Sequence, residues 1–240
     1  MQPSDKHDIG QALASLRAKI GRLEERYMRP AGSVQLLAVS KTMPVEAVQA
    51  AVRAGQRAFG ENHLQDAMTK IEALDDAEKS EGEPPLCWHF IGDIQSNKTR
   101  PIAASFDWVH SIARPKIARR LSEQRGLDRP PLCVCIEVNI SGEPTKAGIA
   151  VEEVEPLAEI VRSLPGLNLR GLMAIPQPAP DLKSARLPFR RLRALLEDLN
   201  AKGFELDTLS MGMSGDLEAA IAEGATIVRI GTAIFGARRR

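Results

Sequence analysis

Eight short, β-rich apolar runs punctuate this chain, at residues 36–40, 58–61, 87–92, 108–112, 132–139, 169–175, 208–212 and 226–231. Between them, 45–54, 64–74, 115–125, 151–163, 184–201 and 217–223 mostly place apolar residues three and four apart, with Gly near their ends. Strand followed by helix, eight times over, predicts an α/β fold closed as a single (β/α)8 TIM-type barrel, and 240 residues suit that barrel as one unit. An amphipathic helix precedes it over 8–29, with Ile9, Leu13, Leu16, Ile20, Leu23 and Tyr27 on one face and Pro30 as its stop. The barrel then occupies 34–240. Runs 58–61 and 208–212 are short, and Pro101 is expected to interrupt the helical stretch 97–104, so an open doubly wound sheet is the alternative. Segments 78–85 and 176–180 read as loops, neither long enough to divide the chain, so 1–240 is expected to form one domain.

Composition removes several functions. A hydrophobic share of 43% with 26% charged residues is that of a soluble globular protein, and a net charge of +1 provides no bulk attraction for nucleic acid or an anionic membrane. Any anion site must therefore be local. Cys87, Cys133 and Cys135 are odd in number and lie in apolar runs, which argues for a reducing cytoplasm rather than a disulfide framework. No metal is expected, because Cys133 and Cys135 lack a second ligand pair at zinc spacing. The polar stretch 1–10 lacks a signal-peptide core, and no run reaches membrane-spanning length.

A barrel of this kind places its chemistry where strands end. Lys41 directly follows the first apolar run, a position whose low dielectric favours the neutral amine that attacks carbonyls. A solvated surface lysine is the alternative. The last two strands lead into Ser214-Gly215-Asp216 and Gly231-Thr232-Ala233, which have the Gly, hydroxyls and helix starts that hold a phosphate, or that simply cap helices. A strand-end amine with a phosphate cradle describes an aldehyde-phosphate site. Pyridoxal 5'-phosphate (PLP) and a phosphorylated sugar aldehyde both satisfy it.

The sequence resembles the pyridoxal phosphate homeostasis proteins, which share the barrel of alanine racemase (fold type III among PLP proteins). The resemblance rests on Ala38-Val39-Ser40-Lys41-Thr42, Phe59-Gly60-Glu61-Asn62, 89–98 from His89 to Lys98, 138–141, 171–176, Met211-Gly212-Met213-Ser214 and Val228-Arg229-Ile230-Gly231-Thr232. It implies that Lys41 carries PLP as an internal aldimine, that Ser214, Gly231 and Thr232 hold its phosphate, and that Arg229 faces its pyridine nitrogen. Asn62, His89 and Met213 would line the pocket, although His89 read by itself suits a core histidine. It implies a cofactor carrier in vitamin B6 homeostasis without a dedicated reaction, with PLP-dependent apo-enzymes as recipients, and the chain is expected to be a monomer.

Two other readings compete. An aldolase-like barrel leaves Arg229 and the family segments unexplained. A racemase needs an acid/base group on the cofactor's opposite face; alanine racemases use a tyrosine from a separate β-domain, whereas this chain ends at Arg240 soon after the eighth run and its one tyrosine is Tyr27. Lys146 is read as a surface charge, and the Arg-rich stretch 186–193 as a solvated helix face.

Overall fold

The computed structural model describes residues 7–75, 84–126, 128–143 and 146–236. Most of the expected loop 78–85, the first six residues of the polar N-terminal stretch and the basic tail 238–240 lie outside the described residues. Eight parallel strands form a closed barrel in sequence order: β1 (Gln35–Val39), β2 (Ala58–Glu61), β3 (Cys87–Phe90), β4 (Trp108–Ile112), β5 (Leu132–Glu137), β6 (Leu167–Met173), β7 (Thr208–Ser210) and β8 (Ile227–Ile230). Closure excludes the open sheet, because β1 pairs with β8 from Gln35↔Ile227 to Ala38↔Ile230. Strands walled by helices outside and side chains inside are largely buried on both faces, which is why they read as mostly apolar runs, although β6 exposes Asn168.

Helices α2 (Val45–Arg53), α3 (Leu64–Asp75), α4 (Thr99–Ser105), α5 (Pro115–Gln124), α6 (Val154–Arg162), α7 (Leu182–Ala201), α8 (Leu217–Ala222) and α9 (Thr232–Phe235) follow their strands. Pro101 does not break α4. It falls in the first turn, where backbone N–H groups have no intrahelical acceptor to lose. The extra helix α1 (Ile9–Arg26) starts at Asp8, whose carboxylate accepts the Gln11 N–H at 3.0 Å. It buries Leu13, Leu16, Ile20 and Leu23, each contributing about 1.5–3 kcal/mol of transfer free energy. Arg17 ties it to the wall through the carbonyls of Ala54 and Gly55, both at 2.9 Å. No helix among the described residues is long and apolar enough to cross a membrane.

The main core lies between strands and helices, around side chains such as Phe59, Phe106 and Phe189. The lumen is different. A small apolar cluster of Leu37, Ala58 and Ile227, flanked by Ile91 and Trp108, fills part of it, and buried polar groups occupy the rest. Strands β6 and β7 approach so closely that a Cβ at Gly171 would overlap the carbonyl oxygen of Thr208.

Candidate functional site

Lys41 sits half-buried just past β1, in a turn closed by the Met43 N–H donating to Ser40 O at 3.0 Å. Thr42, next to it, has φ 64°, a left-handed conformation that is costly for a β-branched residue and concentrates at functional sites. Below the turn is a buried ionic knot. The Ser40 hydroxyl donates to Glu61 Oε1 at 2.6 Å, while Lys70 Nζ donates to the same oxygen at 2.7 Å and to Ser40 O at 2.8 Å. The knot clamps the strand end that carries Lys41. Glu61 Oε2 and the neighbouring Asn62 Oδ1 are buried without a hydrogen-bond partner among the described residues.

A second set of polar groups crosses the lumen. Trp88 and Phe90 face the outer core, so His89 points inward, where its Nδ1 lies 2.8 Å from His110 Nε2. His110 Nδ1 in turn meets Ser210 Oγ at 2.7 Å, joining β4 to β7 across the barrel. Arg229 Nη1 donates to Ser210 O and to Ser210 Oγ, both at 2.6 Å, and Nη2 donates to Ala174 O at 3.0 Å. At the other end, His89 Nε2 lies 3.3 Å from Cys87 Sγ. Burial lowers His89 to about 3 and His110 well below its ordinary value, so both rings are neutral at physiological pH. Burial also lowers Arg229, to about 10, partly offset by the more distant Asp216 and Glu137 carboxylates, and the group stays charged.

Three of the five guanidinium N–H groups of Arg229 are thus engaged, while Nε–H and one Nη2–H have no partner among the described residues. No Arg229 nitrogen is a sealed, unsatisfied atom, so its unengaged donors remain able to meet an acceptor that enters the lumen.

The loops after β7 and β8 close the same mouth. Gly212 turns the chain at φ 96°, and Ser214 and Gly215 lie exposed before α8, whose N-cap is Asp216. Gly231 packs against β1, its Cβ position 3.1 Å from Val39 O, and is the N-cap of α9 with Thr232 as the first helical residue. Neither the Ser214 nor the Thr232 hydroxyl caps a helix, and neither binds a protein group among the described residues. The backbone N–H groups of Ser214, Gly215, Thr232 and Ala233 are likewise without protein acceptors among the described residues. Exposed Met213 stands beside them, its N–H donating to Asp216 Oδ1 at 2.5 Å.

The fold therefore gathers Lys41, Asn62, Met213, Ser214, Arg229, Gly231 and Thr232 at the strand C-termini. His89 lies deeper, fully buried, with both ring nitrogens engaged by Cys87 and His110. Lys146 reaches the rim, with Nζ 3.5 Å from Ile175 O. Sequence reading gave no role to Glu61 and Lys70, although Glu61 lies within a quoted motif, nor to His110, a polar residue inside β4, or Ser210, which ends β7. Tyr27 is remote from the mouth chemistry: its hydroxyl donates to Glu218 on α8 at 2.8 Å, outside the barrel. The arginines of α7 do not form a free basic face, since Arg186 and Arg190 bind the buried Glu223 carboxylate at 2.6 and 3.0 Å.

This arrangement suits a planar ligand with three handles: a carbonyl for an amine, a ring acceptor for a guanidinium, and an anion for free N–H groups. Comparisons with known proteins agree with it. Residues 12–239 match the family described as alanine racemase, N-terminal domain. The "Pyridoxal phosphate homeostasis protein" of Pseudomonas aeruginosa is 56% identical over 230 residues, covering 96% of both chains. The solved structure of PipY from Synechococcus elongatus with PLP bound has a TM-score of 0.81 at 35% identity, covering 95% of this chain and all of that one. Alanine racemase from Corynebacterium glutamicum shares the fold, with a TM-score of 0.64 at 19% identity, but this chain spans only 62% of it. Identity of this extent, over nearly the whole of both chains, makes the chain a member of the pyridoxal phosphate homeostasis protein family, built on the alanine racemase-type barrel.

Proposed function

We propose that this chain binds PLP covalently through Lys41 and serves intracellular vitamin B6 homeostasis as a carrier, acting as one unit of helix and barrel. The observation that carries the reading is Arg229. It is a buried cation with two unengaged donors, in a lumen whose mouth holds a strand-end lysine and four free backbone N–H groups. When bound, the cofactor supplies an aldehyde that reacts reversibly with an amine. Lys41 provides that amine, Arg229 donates to the ring nitrogen, and Ser214, Gly231 and Thr232 hold the phosphate. Asn62 Oδ1 and Met213 border the ring, and His89 supports the pocket from beneath. The relatives' names and the PLP in PipY support this reading. A cytoplasmic monomer that delivers PLP to apo-enzymes completes it.

Ser214→Ala should weaken retention of PLP far more than binding of unphosphorylated pyridoxal, by about 1.5–3 kcal/mol for one charge-assisted hydrogen bond. Equilibrium dialysis of both ligands decides this, and equal weakening would remove Ser214 from the phosphate site.

A racemase is the second reading, because alanine racemase shares the barrel. Arg229 alone does not decide against it: a guanidinium donor keeps the pyridine nitrogen unprotonated and the ring a weak electron sink, but alanine racemases share that arginine arrangement. Lys41 serves one face only, and Tyr27 is held by Glu218 outside the barrel. The cofactor-loaded protein, incubated with L-alanine in deuterated water, should show neither α-hydrogen exchange nor D-alanine at enzymatic rates. Turnover of roughly 1 per second or faster, lost in Lys41→Ala, would establish a racemase instead.

A further inference from the structure

We propose that Ser210, His110 and His89 are positioning residues for Arg229, joined in a one-directional hydrogen-bond chain that fixes where its two free donors point. The inference rests on the reading of Arg229 as the partner of the cofactor's ring nitrogen and assigns that partner its supports.

The direction follows from counting protons. Arg229 can only donate, so Ser210 Oγ accepts from Nη1 at 2.6 Å. Ser210 has one hydroxyl proton, and its remaining close partner among the described residues is His110 Nδ1 at 2.7 Å. His110 Nδ1 is then an acceptor, which places the proton of the neutral ring on Nε2. That proton is donated to His89 Nδ1 at 2.8 Å, so His89 also carries its proton on Nε2 and directs it at Cys87 Sγ, 3.3 Å away. The reverse order would have both histidines protonated on Nδ1 and would leave the Ser210 hydroxyl proton, in a fully buried side chain, without an acceptor among the described residues. Burial and the nearby charge of Arg229 keep His110 from taking a second proton, which would break the order.

Rigidity comes from the same contacts. Trp108 stacks on His89 at 5.4 Å with an interplanar angle of 8°, and both histidines and Ser210 are fully buried, so no water competes for the chain. Arg229 is held at Ser210 Oγ, Ser210 O and Ala174 O, and only the first of these is a side chain that mutation can remove. Without Ser210 Oγ, one more buried N–H becomes unengaged and the guanidinium can turn away from the ring nitrogen.

Two measurements test this. In the protein without cofactor, long-range proton–nitrogen NMR correlations of labelled histidine should show His89 and His110 protonated on Nε2 at neutral pH, and Ser210→Ala should let the Nδ1–H form of His110 appear. A wild-type His110 protonated on Nδ1 would overturn the proposed order. In the second measurement, Ser210→Ala and His110→Leu should each weaken PLP binding about tenfold, the scale of one hydrogen bond. Both should leave almost unchanged the affinity for an analogue in which C–H replaces the ring nitrogen. His110→Asn, whose amide oxygen can accept from Ser210, should restore the preference for PLP. Equal weakening of both ligands, or none, would reduce these residues to packing. A wild-type protein that bound neither ligand would sink the cofactor reading and the purpose given to the chain, while the tautomer measurement would still decide its direction.

Discussion

Borohydride added to the PLP-loaded protein should leave the pyridoxyl group on Lys41, and Lys41→Ala should retain none of it under the same treatment. Peptide mass mapping reads the result directly. Geometry separates Lys41 from Lys70 and Lys146. The Lys70 side chain is buried with Nζ against Glu61 Oε1 and Ser40 O, so reaction there would have to dismantle a buried ion pair. Lys146 lies in the loop after β5, on the rim beside Ile175 O, whereas Lys41 directly follows β1. Exclusive labelling of either one, with Lys41 unmodified, would overturn the assignment of the amine.

Lys70→Met should be among the most damaging single substitutions outside the cofactor site, costing about 3–5 kcal/mol, because it leaves a buried carboxylate without its counter-charge. The side chains of Glu61 and Lys70 are 0% and 4% exposed, so water cannot replace the lost partner. Urea denaturation at neutral pH measures the loss. The double variant Glu61→Leu with Lys70→Met should recover much of it, since removing both charges removes the uncompensated one. A single variant within about 1 kcal/mol of wild type, the range of an exposed ion pair, would show that the knot is hydrated and does not clamp the Lys41 turn.

The strands were readable because double burial leaves little room for polar residues, and the short β2 and β7 were the least legible, β7 carrying polar Thr208 and Ser210 in three residues. Pro101 was misjudged because a proline's effect depends on its distance from the helix start, which the local pattern near 97–104 does not mark. Lys41, Ser214 and Thr232 were readable as residues that follow strands. The partners were not: Glu61 and Lys70 meet only once α3 packs on the end of β2, and His110 and Ser210, 100 positions apart, meet only across the closed lumen. A polar residue inside an apolar run was the available signal, and it does not say which strand the side chain reaches.

Gly171 belongs to one of the segments on which the family resemblance rests, yet it touches nothing in the proposed site. Any side chain there would collide with the Thr208 carbonyl, so every descendant that keeps the spacing of β6 and β7 must inherit a glycine. Invariance at 171 across a lineage would therefore record a mechanical constraint of the barrel wall. It would look like the invariance of a cofactor ligand and carry no information about what the protein binds.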